Sequence, residues 1–269
     1  MTPSRQGLRL ASNMQPFSKL ATATLARICV LAADVDDTIT TEGKIPSGTL
    51  AGFEALEKVG VVVALVTGRP AGWAQALAGY LPGVRVAVAE NGLVAFDGRG
   101  ERRDLGPQRG QDFFARLAEN SARVRSAYAL EVTPDDAFRL FERAFLRPAR
   151  FDASALAASQ KIVDVGFEVM ASSIHIHVRP SGWGKADGLL AALQPIDAEA
   201  CATPDESILF VGDSSNDRSL FARLRRTSVG VRNVNHFLAE LGEDRPAFVT
   251  EAESALGFAE VVRALLAAR

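Results

Sequence analysis

Three aspartates directly follow an apolar run in the stretch LAADVDDTIT (residues 31–40), namely Asp34, Asp36 and Asp37. Carboxylates are costly to bring together at a hydrophobic edge, because they repel one another and lose solvation. A divalent cation offsets this cost, and Mg²⁺ needs only two or three protein oxygens because it keeps several waters. In such a site one carboxylate can act as a covalent nucleophile and a second can transfer a proton.

Short apolar runs of strand length recur along the chain, and segments with helical spacing separate them. The runs are 27–33, 61–67, 84–90, 207–212 and 228–231, and the helical segments are 47–59, 70–80, 185–193, 217–224 and 253–268. This alternation predicts an α/β fold with a doubly wound, Rossmann-like parallel sheet. Ligands of such sheets bind beyond the carboxyl ends of the strands.

Polar residues leave the carboxyl ends of these predicted strands. Thr67 follows the second strand, Glu90 and Asn91 follow the third, and Asp213 follows the fourth. Together with the first aspartates they would place acids, a hydroxyl and an amide at one sheet edge. Lys185, at a helix start, supplies a cation that could neutralise phosphoryl oxygens in a transition state. The residues therefore favour Mg²⁺-dependent phosphoryl transfer.

Four motifs occur in order along the chain: DVDDT (34–38), VTGR (66–69), Lys185 and GDSSND (212–217). They resemble the motifs of the haloacid dehalogenase-like hydrolase superfamily. The stretches AENG and SSIHIHV and the C-terminal tail look like subfamily IIB. That group includes Cof-type members, sucrose-, trehalose- and mannosyl-phosphoglycerate-type phosphatases, and phosphomannomutases. The resemblance implies a type C2 cap domain between the second and third motifs.

The resemblance also implies roles for individual residues. Asp34 would be the nucleophile and a Mg²⁺ ligand, and Asp36 would be the general acid/base and bind Mg²⁺ through its backbone carbonyl. Lys185 would pair with the nucleophile and the phosphate. The remaining expected metal ligands are Asp213 and Asp217, and the expected phosphate-binding residues are Thr67, Gly68, Asn91 and Asn216. Dehalogenases lack an acid at the position of Asp36, so this residue indicates phosphoryl transfer.

The strand–helix rhythm breaks between residues 96 and 180, which we interpret as an inserted α+β cap domain with a helix at 111–120. Residues 172–180 alternate cleanly, which predicts a half-exposed strand whose polar face carries His175 and His177. This face could line the cleft and contact substrate, hold a zinc ion, or be structural. Arg139 and Arg147 are further candidates for substrate specificity.

The hydrolase core would comprise 27–95 and 181–269, after an N-terminal extension over 1–26 whose start we expect to be disordered. Net charge is −2 and the two cysteines occupy unrelated contexts. These features argue against a nucleic-acid partner and favour a reducing, cytoplasmic environment. Apolar runs are too short to cross a bilayer, so we expect no membrane association.

We therefore expect a Mg²⁺-dependent phosphomonoesterase that hydrolyses a small phosphorylated metabolite, such as a sugar or glyceryl phosphate, through an aspartyl-phosphate. Two alternatives remain open at this stage. One is a phosphomutase of the same superfamily. The other is a non-catalytic protein that binds a phosphorylated metabolite, although a binding protein would not need Asp36.

Overall fold

The computed structural model describes residues 14–172 and 174–269. Its strands are, in chain order, β1 (Gln15–Pro16), β2 (Val30–Ala33), β3 (Val62–Val66), β4 (Val84–Ala89), β5 (Val94–Asp97), β6 (Arg102–Asp104), β7 (Arg143–Leu146), β8 (Phe167–Ala171), β9 (His175–Pro180), β10 (Ile208–Gly212), β11 (Ser228–Gly230) and β12 (Phe248–Val249). Its α-helices are α1 (Thr22–Leu25), α2 (Ser47–Lys58), α3 (Ala71–Tyr80), α4 (Phe113–Tyr128), α5 (Ala153–Ser159), α6 (Lys185–Leu193), α7 (Ala198–Ala202), α8 (Pro204–Ser207), α9 (Arg218–Arg223), α10 (Leu238–Leu241) and α11 (Ser254–Ala267).

Nine strands form the main sheet, in the order β1-β12-β11-β10-β2-β3-β4-β5-β6. Pairing is parallel from β1 through β4, and β5 and β6 add two antiparallel strands at one edge. The four central strands β10, β2, β3 and β4 are adjacent and parallel. Their carboxyl ends therefore meet at one edge of the sheet, as a doubly wound fold requires.

Successive residues of each central strand point to opposite faces of the sheet and enter two separate cores. In β2, Leu31 and Ala33 pack with α2 and α11, whereas Val30 and Ala32 pack with α6 and α9. All four side chains are fully buried. Burial on both faces explains why the strand is continuously apolar rather than alternating. The predicted doubly wound α/β core is confirmed.

The cap is a second layer built on an antiparallel sheet of three strands, in the order β7-β9-β8. Helix α4 covers it and buries Phe113, Leu117 and Val124. This helix is longer than the segment 111–120 predicted for it, and it ends at Ala129 in a left-handed conformation. The chain leaves the main sheet after β6 and returns to it at α6, so the cap is inserted into the core.

Two segments lie in the core sheet although the sequence pattern placed them elsewhere. Residues 102–104 were predicted to belong to the cap, but as β6 they pair with β5. Their sequence RRD is polar because the strand is at the sheet edge, so it lacks an apolar signal. Part of the predicted N-terminal extension also joins the core, since β1 pairs with β12 and Phe17 is buried. The expected disorder at its start lies outside the described residues.

The prediction of a half-exposed cap strand is wrong. Strand β9 is the central strand of the cap sheet, and all six of its residues are buried. One face packs against α4, whereas the polar face with His175, His177 and Arg179 lies against the core domain. Alternation reports that two faces differ in polarity, and it does not distinguish water from a polar protein surface.

Candidate active site

The carboxyl ends of four neighbouring strands bring the predicted residues together. Asp34 follows β2, Thr67 follows β3 and Asp213 follows β10, while Glu90 follows β4. All four side chains are buried. They lie far apart in the chain and converge only because the strands are parallel and adjacent.

Lys185 lies between two of the site's carboxylates. Its Nζ is 2.8 Å from Oδ1 of Asp34 and 2.7 Å from Oδ1 of Asp217. The side chain is fully buried at the first residue of α6. Burial lowers the pKa of Lys185, but Asp217 and Asp34 outweigh it and raise the pKa above its ordinary value. The lysine is therefore a permanent cation.

The site holds more negative charge than this lysine can neutralise. Carboxylate oxygens of Asp34, Asp213 and Asp217 lie within 4.8 Å of one another. Burial, together with the neighbouring aspartates, raises the pKa of Asp34 to about 7 against the opposing effect of Lys185. Burial and then Asp34 and Asp217 raise the pKa of Asp213 well above its usual value. A second cation would relieve this repulsion.

Asp213 offers a direct test of whether a metal fits here. Its Oδ2 accepts a hydrogen bond from Asn233 at 3.2 Å, but its Oδ1 is buried with no partner among the described residues. Buried carboxylate oxygens are rarely left without a partner. The clustered carboxylate oxygens are the hard ligands that a divalent cation prefers, so these residues fit Mg²⁺.

Asp217 belongs to the same acidic cluster, but hydrogen bonds occupy both of its oxygens. Oδ1 accepts from Lys185, and Oδ2 accepts from the backbone N–H groups of Asp213 and Ser214. In the described arrangement this residue orients the lysine and the loop after β10. Its predicted role as a metal ligand would use the remaining lone pair of Oδ1 and stays a prediction.

Asp36, the predicted general acid/base, is paired with Arg69. The guanidinium donates from Nε to Oδ2 at 2.8 Å and from Nη2 to Oδ1 at 2.7 Å. Arg69 also reaches Asp135 of the cap at 3.4 Å and lies 4.6 Å from the ring centroid of Trp73. The arginine of the VTGR motif thus connects the predicted proton carrier to the cap.

A small cavity lies between this edge of the sheet and the cap. Its free volume is about 10 Å³, roughly the space for one water molecule. The cap therefore covers the site closely. The residues that line the cavity are Asp34, Asp36, Gly68, Ser172, Ile174, His175, His177, Ser214 and Asn216. Six predicted catalytic or substrate-binding residues thus line one cavity, namely Asp34, Asp36, Gly68, His175, His177 and Asn216.

Thr67 and Asn91 lie beside this cavity but use their side chains internally. The hydroxyl of Thr67 accepts from the N–H of Arg69 at 3.0 Å. Asn91 donates to Glu142 at 3.2 Å and accepts from Asn216 at 3.3 Å. The side chain of Asn91 therefore bridges Glu142 of the cap and Asn216 of the core loop after β10, and it does not line the cavity.

A buried charged cluster in the cap was not predicted. Glu142 is fully buried and contacts Arg139 at 2.5 Å, His177 at 2.9 Å and Arg179 at 3.9 Å. Glu142 directly precedes β7, a strand for which the sequence shows no periodic signal. A glutamate three residues after an arginine is common on any surface, so this pair could not be identified as buried.

Glu90 was noted as a strand-end acid without a role, and it joins the core to the cap. Its carboxylate accepts four backbone N–H groups, from Ala71 of the core and from residues 140, 141 and 142 of the cap. Burial, and then Glu142, raise its pKa to about 7. The acid therefore holds the cap chain against the sheet.

The two arginines proposed for specificity have different surroundings. Arg139 is buried and donates to the carbonyl of Gly68 at 2.8 Å, next to the cavity. Arg147 donates to the carbonyl of Ser172 and pairs with Glu240, so it ties the cap to α10 instead. For the two histidines, no third ligand within the described chain forms a zinc cluster with them.

Comparisons with known proteins agree with this architecture. A phosphoglycolate phosphatase of Aeropyrum pernix is 26% identical over 240 residues, which is 88% of this chain and 93% of that protein. A HAD/COF-like hydrolase of Plasmodium vivax has a TM-score of 0.71 at 16% identity, covering 92% of this chain and 99% of that one. The sucrose-phosphatase of Synechocystis has a TM-score of 0.62 at 18% identity, covering 89% and 98%. No family model matches the sequence.

The chain has the fold of haloacid dehalogenase-like hydrolases and is similar in sequence to curated phosphatases. The resemblance drawn from the four motifs is confirmed by the fold and by curated relatives that are phosphatases, and so is the expected enzyme class. The first, third and fourth motifs supply Asp34, Lys185 and Asp217 to one hydrogen-bonded cluster, and Gly68 of the second motif lines the cavity beside it. Within the described residues no helix combines the length and apolarity that a membrane span needs.

Proposed function

We propose that this hydrolase is a Mg²⁺-dependent phosphomonoesterase that cleaves a small phosphorylated metabolite through an aspartyl-phosphate. The observation that carries the proposal is the placement of Asp34. It is buried, hydrogen-bonded to the fixed cation Lys185, and open to the cavity beneath the cap. A carboxylate so placed is a nucleophile aimed at a space from which bulk water is largely excluded.

The other residues of the site would divide the remaining tasks. Asp34 and Asp213 would hold Mg²⁺, which when bound supplies charge neutralisation for the phosphoryl oxygens. Thr67 and Gly68 would hold the same oxygens from the carboxyl end of β3. Lys185 would keep Asp34 ionised and oriented.

The second carboxylate, Asp36, would carry the proton. It would protonate the leaving oxygen when the phosphoryl group moves to Asp34, and it would then deprotonate the water that releases phosphate. This role requires a free carboxylate oxygen, so Arg69 must loosen its two hydrogen bonds when substrate is bound. Asp36 lines the cavity and is partly exposed, which leaves it room to do so.

The test is phosphate release from a panel of phosphorylated metabolites, with Mg²⁺ and with EDTA. The panel should contain phosphoglycolate, which the curated relatives are named for, and glyceryl and sugar phosphates. We expect at least one compound to be hydrolysed only with Mg²⁺. Interconversion of sugar phosphates without phosphate release would instead indicate a mutase, and tight binding without turnover would indicate a binding protein.

Asp34→Asn removes the nucleophile while keeping the shape of the side chain. We expect kcat to fall by about 10⁴-fold or more, because the covalent route is lost. The matched control is Asp37→Asn, three residues on, at a positive φ of 53° that asparagine tolerates. The control should keep activity within about threefold. Full turnover by Asp34→Asn would overturn the assignment of the nucleophile.

A further inference from the structure

We propose that His177, oriented by Glu142, accepts a hydrogen bond from a hydroxyl group on the leaving group of the substrate. The inference rests on the proposed phosphomonoesterase function and names a substrate class within it, the phosphoesters of polyols and sugars. His177 would be a specificity-determining residue contributed by the cap, and Glu142 would be its positioning residue.

The first observation is a ring nitrogen in the cavity wall that has no partner. His177 is 1% exposed and lines the same cavity as Asp34 and Asp36. Its Nδ1 is 2.9 Å from Oε1 of Glu142, whereas Nε2 is buried without a hydrogen-bond partner among the described residues. A buried polar atom in this state is costly unless a ligand or an ordered water supplies the partner.

The second observation shows that Nε2 is an acceptor. Burial raises the pKa of Glu142, but its contacts with His177, Arg139 and Arg179 lower it to about 2, so this carboxylate is ionised. Burial lowers the pKa of His177 and outweighs the opposite effect of Glu142, so the imidazole is neutral at neutral pH. A neutral imidazole has one N–H, and an ionised carboxylate can only accept. The proton is therefore on Nδ1, and Nε2 presents a lone pair.

The third observation concerns the charges around this nitrogen, which favour a neutral donor. The acids within 4.0 Å of Arg139 or Arg179 are Asp135, Asp136, Glu142 and Glu168. These acids offset the arginines, and the lone pair of Nε2 would repel a carboxylate. Burial and the two arginines lower the pKa of His177, so its surroundings also disfavour an added cation such as an ammonium group. A hydroxyl group is a donor that carries no charge.

The fourth observation places this acceptor beside the loop after β3. A Cβ built on Gly68 would lie 3.4 Å from Cε1 of His177, the ring carbon that is bonded to Nε2. Gly68 lines the same cavity, and we propose above that it holds phosphoryl oxygens. A hydroxyl group bound by Nε2 would therefore lie next to the phosphoryl group, in the part of the substrate that leaves when this group moves to Asp34.

The experiment compares glycerol phosphate with propyl phosphate, which has the same carbon chain without hydroxyl groups. We expect the wild type to prefer glycerol phosphate by about tenfold or more in kcat/KM, because a site built to bind a hydroxyl group rejects the analogue that lacks it. If another panel compound is the better substrate, the same comparison is made between that compound and its deoxy analogue.

His177→Asn removes the acceptor and keeps a donor for Glu142, because the asparagine amide nitrogen can occupy the position of Nδ1 and no atom occupies that of Nε2. We expect kcat/KM for glycerol phosphate to fall by about 5- to 100-fold, the cost of leaving a buried polar group unpaired. For propyl phosphate it should change by less than about threefold. His177→Gln can place its carbonyl oxygen near the position of Nε2, so it should restore part of the preference.

The matched control is His236→Asn, the same change at an exposed histidine outside the cavity, which should leave both substrates unaffected. An equal loss on both substrates in His177→Asn would contradict the inference. It would mean that His177 is structural or binds the water that hydrolyses the aspartyl-phosphate, a step that both substrates share.

The role of Glu142 is tested by the ¹⁵N chemical shifts of the His177 ring, which distinguish the two neutral tautomers. We expect the Nδ1–H tautomer in the wild type. Glu142→Gln should increase the Nε2–H tautomer, because an amide can donate to Nδ1 whereas a carboxylate can only accept. A proton on Nε2 in the wild type would rule out an acceptor there, and this measurement decides the point even if His177→Asn does not fold.

The outcomes for the wild type separate this inference from the proposed function. Equal kcat/KM values for the two substrates, or hydrolysis only of compounds without a hydroxyl group on the leaving group, would overturn the role of His177 and leave the phosphatase proposal standing. If the wild type hydrolyses no member of the wider panel, the proposed function itself is wrong, and the inference falls with it.

Discussion

Lys185 supplies the cation that allows several carboxylates to share one buried space. Its amine is hydrogen-bonded to Asp34 and Asp217, and all three side chains are almost fully buried. Replacing one member of a buried ionic cluster leaves the others without compensation, which costs far more than loss of a surface pair.

We predict that Lys185→Met destabilises the protein by about 3–5 kcal/mol at neutral pH, measured by urea denaturation in EDTA. Lys58→Met, at an exposed lysine at the end of α2, should change the free energy of unfolding by less than about 0.5 kcal/mol. Adding Asp217→Asn to Lys185→Met should restore part of the loss, because it removes one uncompensated carboxylate. A cost below about 1 kcal/mol for the single variant would contradict the ion-pair account.

The sequence predicted the strand-end residues of the site because each one follows an apolar run directly. Asp34, Thr67 and Asp213 needed only the rule that adjacent parallel strands end at one edge. The pairs Asp36–Arg69 and Glu142–His177 could not be derived in this way. Their members are separated by 33 and 35 residues, and each pair lies within one domain, where the contact depends on side-chain and loop conformations that the strand order does not specify.

At the scale of elements, close packing between α6 and the turn after β4 positions Lys185. A Cβ on Gly188 would lie 2.4 Å from Cα of Gly92, so the helix and the turn touch backbone to backbone. Gly92 has a φ of 108°, which favours glycine in its own right. Lys185 sits on the same helix one turn earlier, so its position depends on this contact.

We predict that Gly188→Ala moves α6 away from the turn. It should cost about 1–3 kcal/mol in unfolding free energy, as overpacking does, and lower kcat because Lys185 shifts from Asp34. Gly79→Ala is the matched control, in helix α3, where a Cβ would meet nothing within 4 Å. That control should stabilise the protein by about 0.5–1 kcal/mol through helix propensity. Thermal denaturation and the phosphatase assay would compare the two variants. Equal changes in stability and kcat for Gly188→Ala and Gly79→Ala would contradict the packing argument.

Elements with a strong periodic signal were predicted within a residue or two. Helix α2 runs over Ser47–Lys58 against the predicted 47–59, and α6 matches its predicted range. The strands β1, β5, β6, β7, β8 and β12 were missed. They are short or partly exposed, and their pairing is set by neighbours distant in sequence rather than by their own composition.

For the whole molecule, Glu90 is one of the residues that link the two domains. It belongs to the core sheet, yet three of its four backbone donors lie in the cap. With its pKa raised to about 7 from an ordinary 4.5, the folded state binds this proton more tightly than the unfolded chain does. The stability it contributes is therefore full below pH 4.5 and is lost as the pH rises through 7.

We predict that the difference in unfolding free energy between wild type and Glu90→Gln falls by up to about 3 kcal/mol from pH 4.5 to pH 8, measured by urea denaturation in EDTA. Glu142→Gln provides the contrast. The pKa of Glu142 is lowered to about 2, so its contribution is lost only at acid pH and that difference should stay constant over the same range. If the difference between wild type and Glu90→Gln does not change with pH, the pKa of Glu90 is not raised in the folded state.

The pairing of Arg69 with Asp36 couples recognition to reactivity. The Arg69 guanidinium donates to both carboxylate oxygens of Asp36, the proposed proton carrier, while its third nitrogen pairs with Asp135 of the cap. Without substrate, the carboxylate that we propose as the general base therefore has both oxygens hydrogen-bonded to Arg69. An incoming anion that attracts Arg69 would release the carboxylate in the same step, so the enzyme would become reactive only once it is occupied.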